Sequence, residues 1–229
     1  MIKSFDLFKN NILNSQKNGY EERLKQTDIC FNILKEHFKF DYINFLETGC
    51  TSDSYDNFGL LFAMMVDEIG GTYHTVDINE NYIKKSKDFF DKIIPNNSFV
   101  YETSDSIEYL NNFNNPLNLV HLDSYDLDIK EPIPSSLHHL YEFLSIKDKM
   151  PQGSIVIVDD NYFNGTRIWW HNIHNGEYIN TEEIDIQTEI IGKGSLIYHS
   201  VKQGKIKDWI LIGNHYGPAI NHKLYFKKI

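Results

Sequence analysis

The chain has few of the features that mark secreted or membrane proteins. Its two cysteines, Cys30 and Cys50, cannot form a disulfide framework, which favours a reducing cytoplasm. No apolar run approaches the roughly 20 residues that a membrane-spanning helix requires. The first residues, Met1 to Phe5, do not have the charge and hydrophobicity pattern of a signal peptide. We therefore expect a soluble cytoplasmic protein.

Positive charge is also scarce. Lys and Arg number 22 against 32 Asp and Glu, so the formal net charge is −10. Such a chain repels nucleic-acid phosphates and anionic membranes, and no local run of Lys and Arg compensates. The 229 residues, 41% of them hydrophobic, are enough for one large folded domain and too few for two. We expect neither a nucleic-acid nor a membrane partner, and a homo-oligomer stays open.

Short apolar runs that end in an acid alternate with helical patterns along most of the chain. The runs at 42–47, 72–77, 98–102, 119–123 and 154–159 predict strands, and 60–68, 82–93, 106–110 and 136–144 predict helices. Two further strands, 208–212 and 223–226, are joined by a connection too short for a crossover helix and should be antiparallel. This order predicts a doubly wound α/β fold: a mostly parallel seven-stranded sheet with an antiparallel C-terminal strand pair. We expect residues 1–40 to form an N-terminal helical cap and residues 41–229 to form the main domain.

The ends of the predicted strands carry the chemistry, because ligands of open α/β sheets bind beyond the carboxyl ends of the strands. After the first strand comes a tight turn, Glu47-Thr48-Gly49, in which Gly49 lets the backbone approach a ligand closely. The further glycines of a dinucleotide-binding turn are replaced by Thr51 and Ser54. An acid before this turn is unfavourable beside a phosphate and favourable beside an ammonium group.

The ordered series of strand-end residues resembles class I S-adenosylmethionine-dependent methyltransferases over about residues 40–228. The resemblance implies that S-adenosylmethionine is the cofactor. It implies that Glu47, Thr48 and Gly49 lie beside the methionine part of the cofactor and that Asp77 accepts hydrogen bonds from the ribose hydroxyls. It also implies that Asp105, Ser106 and Ile107 contact the adenine. Asp123 completes the predicted cofactor residues. The sequence departs from the family at 52–59, where a longer polar segment replaces a compact glycine-rich loop.

A second group of acids follows the fourth and fifth predicted strands. Asp123, Asp159 and Asp160 should lie close together, and an uncompensated cluster of this kind raises its own pKa values unless a hard divalent cation binds. The pattern resembles metal-dependent O-methyltransferases, particularly the macrocin-type sugar enzymes and the catechol-type enzymes. That resemblance implies that the three aspartates bind Mg²⁺ or a similar ion. The alternative is that the acids cap a helix and bind no metal.

The helix after the fourth strand contains the candidate general bases. Leu137, Tyr141 and Leu144 form its predicted buried stripe, which leaves His138 and His139 free to face the acids. A neutral imidazole there could accept the proton of an acceptor hydroxyl, as could Asp123. The alternative is that both histidines lie on the surface or behind the site.

The 161–194 stretch is too long for a loop without a role, and it follows the acid pair. Arg167, Trp169 and Trp170 are its candidate substrate-binding residues, since Trp suits a sugar ring and an arginine suits an anionic group. We therefore expect methyl transfer to a hydroxyl of a small molecule, preferably a sugar or nucleotide-linked sugar. The alternatives are a metal-independent N-methyltransferase and a non-catalytic cofactor-binding module.

Overall fold

The structure is a computed structural model that describes residues 2–15, 20–51, 57–95, 99–163, 167–171, 176–180, 189–214 and 222–229. Its helices are α1 Ile2–Ser15, α2 Tyr20–His37, α3 Phe58–Ile69, α4 Glu80–Ile93, α5 Ser106–Asn112, α6 Ile133–Ile146 and α7 Ser195–Lys202. Its strands are β1 Ile43–Thr48, β2 Gly71–Asp77, β3 Phe99–Thr103, β4 Leu119–Leu122, β5 Ile155–Phe163, β6 Arg167–His171, β7 Gly176–Asn180, β8 Ile190–Gly192, β9 Trp209–Asn214 and β10 His222–Lys228.

The main sheet has the strand order β3-β2-β1-β4-β5-β10-β9. The five strands from β3 to β5 are parallel, and β10 runs antiparallel to both β5 and β9. The predicted fold class is therefore confirmed. Over the residues that the structure describes, the sheet has eight strands rather than the seven expected, because the short strand β8 pairs antiparallel with the end of β5. β6 and β7 form a separate antiparallel pair.

Both faces of the main sheet are buried, and alternate residues of one strand enter different cores. In β5, Ile155 and Ile157 pack with helices α1 to α4, whereas Val156 and Val158 pack on the opposite face with α6 and α7. A strand that is covered on both faces reads as a continuous apolar run, and this explains why the strands were recognisable.

The N-terminal helices share one of these cores. Phe5 and Phe8 of α1 and Leu34 of α2 are buried in the same cluster as Phe45 of β1 and Phe62 of α3. The helices α1 and α2 thus pack directly onto one face of the sheet. Among the described residues, no helix combines the length and apolarity needed to cross a membrane.

The predicted buried stripe of α6 is wrong. Leu137, Tyr141 and Leu144 are 38%, 50% and 39% exposed. The face that packs inward instead carries Phe143 and Ile146 together with polar residues: Ser135, Ser136, His139 and Glu142. Hydrogen bonds stabilise most of these buried polar groups, for example Ser136 with Ser195, whereas His139 Nε2 and Glu142 Oε2 have no hydrogen-bond partner among the described residues.

Candidate active site

A cavity of about 310 Å³ lies beyond the carboxyl ends of β1, β2 and β4. β1 lies between β2 and β4, so the chain changes direction across the sheet here and leaves a crevice. The lining residues come from the end of β2, from the segments that follow β1, β2, β3 and β4, and from the N-terminal halves of α5 and α6: Gly49, Val76, Asp77, Ile78, Asp105, Ser106, Ser124, Tyr125 and His138.

Gly49 shapes the floor of this cavity. Its φ is +74°, a left-handed conformation, and a Cβ at this position would lie 2.5 Å from the carbonyl oxygen of Asp123. The turn is held by two further bonds: Gly49 N donates to the carbonyl of Val76 at 2.9 Å, and Cys50 N donates to Asp77 Oδ2 at 3.2 Å. Only glycine satisfies both the backbone angle and the close approach to β4.

The two acids expected to bind the ribose and the adenine both line the cavity. Asp77 Oδ1 accepts a hydrogen bond from Asn79 N at 2.8 Å, which fixes the carboxylate at the end of β2. Asp105 caps α5, since its Oδ1 accepts from Glu108 N at 2.9 Å. Ser106 also lines the cavity, whereas Thr48 is fully buried and Ile107 is half-buried away from the lining.

Glu47 lies beneath the cavity and does not line it. It is 1% exposed and accepts hydrogen bonds from Tyr73 Oη at 2.8 Å and from Thr51 N at 3.4 Å. Its Oε1 is also 3.3 Å from His121 Nδ1. A Cβ on Gly59 would lie 2.4 Å from Glu47 Oε1, so the first turn of α3 packs directly on this carboxylate. Glu47 therefore supports the turn from below. We expected it to contact the ligand in the cavity, but it does not line the cavity.

The predicted acid cluster exists, and it contains two buried lysines. Asp123 follows β4, and Asp159 and Asp160 belong to β5. Lys193 Nζ lies 2.6 Å from Asp123 Oδ1 and 2.9 Å from Asp160 Oδ2. Lys223 Nζ forms an ion pair with Asp159 Oδ2. Both lysine side chains are 2% exposed, whereas those of Asp123 and Asp160 are 27% and 23% exposed.

The ion pairs set the charge states within the cluster. Burial raises the pKa of Asp159, but Lys223 and His121 outweigh that effect and bring the pKa well below its usual range. Burial lowers the pKa of His121, whereas contacts with Asp159 and Glu47 raise it, and the result is about 9. His121 Nε2 lies 3.5 Å from Asp159 Oδ2, too long for a good hydrogen bond, so this contact is mainly between charges.

Asp123 and Asp160 differ from Asp159. Burial raises the pKa of each, Lys193 lowers it, and the neighbouring Asp159 raises it again, so that both pKa values stay above the usual range. A carboxylate with a raised pKa is a better proton acceptor. Lys193 keeps its proton, because its two carboxylate partners raise its pKa against the lowering effect of burial.

The residues of the predicted metal site do not fit a divalent ion well. His121, Asp123 and Asp159 could each offer an atom within 4.8 Å of the others. However, each of the three predicted ligands, Asp123, Asp159 and Asp160, already pairs with a lysine ammonium. A metal ion would have to displace a buried cation, and the desolvated lysine would then lose its partner. The metal ligands stay a prediction from resemblance.

The two candidate histidines of α6 have different surroundings. His138 lines the cavity, and its Nε2 is 3.0 Å from Ser106 Oγ and 3.4 Å from Glu142 Oε1. His139 is fully buried and contacts the carbonyl of Ser135 through Nδ1 at 2.7 Å, and burial lowers its pKa to about 4. His138 can therefore meet a ligand, whereas a neutral, enclosed His139 cannot.

Glu142 is a buried acid that joins both sides of the cavity. Its Oε1 accepts from Ser124 Oγ at 2.7 Å, and Ser124 is a lining residue. Burial raises the pKa of Glu142, but the adjacent histidines and serine hydroxyls lower it below its usual range. The ionised carboxylate thus orients His138 and Ser124 toward the cavity.

The candidate substrate residues Arg167, Trp169 and Trp170 lie in β6, where the backbone is described. Their side chains lie outside those that the structure describes. Their role stays a prediction.

Sequence reasoning missed several residues of the site: Ser124, Tyr125, Glu142, Lys193 and Lys223. Ser124 and Tyr125 directly follow Asp123, and the strand-end rule that selected Asp123 could have included them. Lys193 and Lys223 were harder to predict as site residues, since they lie in or beside C-terminal strands that are far from the acids along the chain.

Comparison with known proteins gives structural neighbours only. No family model and no curated protein matches the chain. A S-adenosylmethionine-dependent methyltransferase from Clostridium acetobutylicum ATCC 824 is similar over 94% of both chains, with a TM-score of 0.54 and 10% identity. A Streptococcus mutans protein assigned as a methyltransferase and solved in complex with SAH covers 88% of this chain and 97% of its own, with a TM-score of 0.55 and 8% identity. An rRNA methylase from Streptococcus thermophilus covers 87% of this chain and 94% of its own, with a TM-score of 0.53 and 9% identity. The chain therefore has the Rossmann-like fold found in methyltransferases.

Proposed function

We propose that the protein transfers a methyl group from S-adenosylmethionine to a hydroxyl oxygen of a small molecule. The observation that carries this proposal is the cavity at the strand ends, in which Gly49, Asp77 and Asp105 lie together as the resemblance implies. The fold shared with solved methyltransferases supports it.

In this proposal the cofactor spans the cavity from the Gly49 turn to α5. The Asp77 carboxylate accepts hydrogen bonds from the ribose diol, for which its two oxygens are suited. Asp105 and Ser106 flank the adenine. Glu47 acts indirectly: its buried bonds to Thr51 and Tyr73 hold the turn that receives the methionine part.

Asp123 is the proposed general base. It directly precedes Ser124 of the cavity lining, its backbone carbonyl contacts Gly49, and its side chain is partly exposed. The acceptor oxygen attacks the methyl carbon, the bond from that carbon to sulfur breaks with its electron pair left on sulfur, and the hydroxyl proton passes to Asp123. Alignment of the oxygen with the methyl group supplies much of the rate enhancement. His138 is the alternative base, since it also lines the cavity.

The sugar acceptor stays a hypothesis that rests on Arg167, Trp169 and Trp170. Metal assistance is not part of the proposal, because lysines already pair with the three aspartates. The net charge of −10 supports a small-molecule acceptor over RNA, although one structural neighbour is an rRNA methylase.

The first test is calorimetric titration with S-adenosylhomocysteine of the wild type, Asp77→Asn and Asp88→Asn. Asp88 is an exposed acid on α4, outside the cavity, and serves as the matched control. Losing a charge-assisted hydrogen bond costs about 1.5–3 kcal/mol, so Asp77→Asn should weaken binding at least about tenfold. Equal affinities for all three proteins would remove Asp77 from the cofactor site, and no binding by the wild type would refute the proposed function.

The second test is methyl transfer from labelled S-adenosylmethionine to panels of sugars, nucleotide sugars, phenols, amines and RNA. Label on a hydroxylated small molecule supports the proposal. Label confined to amines favours the N-methyltransferase alternative, and label on RNA contradicts the expectation of no nucleic-acid partner. Tight cofactor binding without transfer to any acceptor favours a non-catalytic module.

A further inference from the structure

We infer that Lys193 is the resident cation of the acid cluster and occupies the position in which a divalent metal would bridge Asp123 and Asp160. The inference has a consequence for catalysis, which is that the acceptor side of the site works without a metal. This consequence rests on the proposed function.

The distances around Lys193 carry the inference. Its Nζ lies 2.6 Å from Asp123 Oδ1 and 2.9 Å from Asp160 Oδ2. A Ca²⁺ ion lies about 2.3–2.6 Å from its carboxylate ligands, and Mg²⁺ lies slightly closer. A metal bridging the same two oxygens would therefore overlap the ammonium group.

The backbone around Lys193 is built for this placement. β8 pairs with the end of β5 so that Gly192 is opposite Asn161, and Lys193 N donates to the carbonyl of Asp160 at 3.1 Å. A Cβ on Gly192 would lie 2.2 Å from that same carbonyl oxygen, so glycine permits the close approach. Asn161 Oδ1 also accepts from Gly194 N at 2.6 Å. The lysine thus enters the cluster from a segment that is fixed on both sides.

The second lysine, Lys223, pairs with Asp159, the remaining predicted metal ligand. Its Nζ lies over the Phe58 ring, 4.4 Å from the ring centroid, which encloses the ammonium group. The two ammonium groups together pair with all three aspartates. Among the described residues, Asp123 Oδ2 and Asp160 Oδ1 have no hydrogen-bond partner, and both side chains are about a quarter exposed. The exposed parts of these two side chains are the parts of the cluster that an acceptor hydroxyl could contact in the proposed reaction.

The test compares binding of Mn²⁺ to chelator-treated wild type, Lys193→Met and Lys202→Met, by calorimetry and by electron paramagnetic resonance. Lys202 is an exposed lysine paired with Glu189 on the surface, so its substitution also removes one positive charge but leaves the cluster intact. We expect no saturable binding to the wild type or to Lys202→Met. Lys193→Met should gain one saturable site, because the bridging position is vacated, with a Kd at least about tenfold below the highest Mn²⁺ concentration at which the other two proteins show no saturation.

Saturable one-to-one binding of Mn²⁺ by the wild type would overturn the inference. A folded Lys193→Met that binds Mn²⁺ no better than Lys202→Met would overturn it too. If Lys193→Met folds only when Mn²⁺ is present, the inference is supported, since the metal then replaces the ammonium. If it folds under neither condition, Lys193→Gln, which keeps a hydrogen-bond donor, replaces it and is judged by the same criteria.

Titration with S-adenosylhomocysteine in the same samples separates the two proposals. Wild type that binds S-adenosylhomocysteine supports the proposed function, and the lack of a saturable Mn²⁺ site in the same samples supports the inference about Lys193. Wild type that binds neither S-adenosylhomocysteine nor Mn²⁺ refutes the proposed function while leaving the inference about Lys193 intact.

Discussion

Replacing Gly49 by alanine tests the cavity floor, and Gly204 offers a matched control. Gly49 has φ +74° and Gly204 has φ +68°, so both substitutions place an L-residue in nearly the same left-handed conformation. Their surroundings differ. A Cβ at Gly204 meets nothing within 4 Å, whereas a Cβ at Gly49 meets the Asp123 carbonyl oxygen at 2.5 Å and the Asp123 carbonyl carbon and Ser124 Cα at 3.0 Å.

The two variants should therefore differ by the steric contact alone. The left-handed conformation costs about 1–2 kcal/mol for a residue with a Cβ. The free energy of unfolding of Gly204→Ala should therefore be lower than that of the wild type by about this amount. Gly49→Ala should lose about 1–3 kcal/mol more, because backbone atoms must move apart. For a chain of this size each kcal/mol lowers Tm by about 2–4 °C. We expect Gly204→Ala to melt roughly 2–8 °C below the wild type, and Gly49→Ala lower still.

The assay combines thermal unfolding with titration of S-adenosylhomocysteine. Because the movement displaces the turn that lines the cavity, Gly49→Ala should also bind this ligand at least about tenfold more weakly, and Gly204→Ala should bind it as the wild type does. Equal losses of Tm in the two variants, with unchanged affinity in both, would refute the assignment of Gly49 to the cavity floor.

Two further predictions concern the buried charges. Lys223→Met should lower the free energy of unfolding by about 3–5 kcal/mol, because Asp159 would keep a buried charge without its ammonium partner and with only the longer contact to His121. Exposed Lys207→Met should change it by less than about 0.5 kcal/mol, and equal urea midpoints for the two variants would contradict the ion pair. His121 has a folded-state pKa of about 9 against an ordinary value of 6.5, so its stabilisation is complete below pH 6.5 and is lost as the pH rises to about 9. The free energy of unfolding should fall by up to about 3 kcal/mol across that range, and His121→Asn should flatten the profile; a flat wild-type profile would show that His121 is neutral in the folded protein.

Much of the fold was predictable because a doubly covered parallel sheet leaves a strong pattern. The first four predicted strands agree with β1 to β4 to within about two residues at each end, a normal uncertainty. The fifth was ended at 159, whereas β5 continues to Phe163. The polar sequence Asp159-Asp160-Asn161 is typical of the end of a strand. The strand continues because Lys223 and Lys193 pair with the two aspartates, and the Asn161 side-chain amide donates a hydrogen bond to the backbone.

The buried face of α6 was also predicted wrongly because polar residues are buried there. Hydrophobicity selected Leu137, Tyr141 and Leu144 as the buried face, whereas the structure buries Glu142 and His139. Polar side chains on an inward face are stable when their partners lie on other segments, and such partners cannot be read from one helix. The cavity residues Gly49, Asp77, Asp105 and Ser106 were predictable, since each follows directly from a strand end or the turn after it.

The lysines show where reasoning from local spacing stops. Asp123 and Lys193 are separated by 70 residues, and Asp159 and Lys223 by 64, so no motif links the partners. Leu224 is opposite Val158 in the antiparallel pair β5–β10, but the register shifts between His222 and Leu224, so the pairing of Lys223 with Asp159 does not follow from simple strand alternation. The pairing of Lys193 was also not predictable, since no sequence pattern predicted β8. Acids at neighbouring strand ends therefore indicate a cation, and only the tertiary structure distinguishes a metal ion from the ammonium group of a distant lysine.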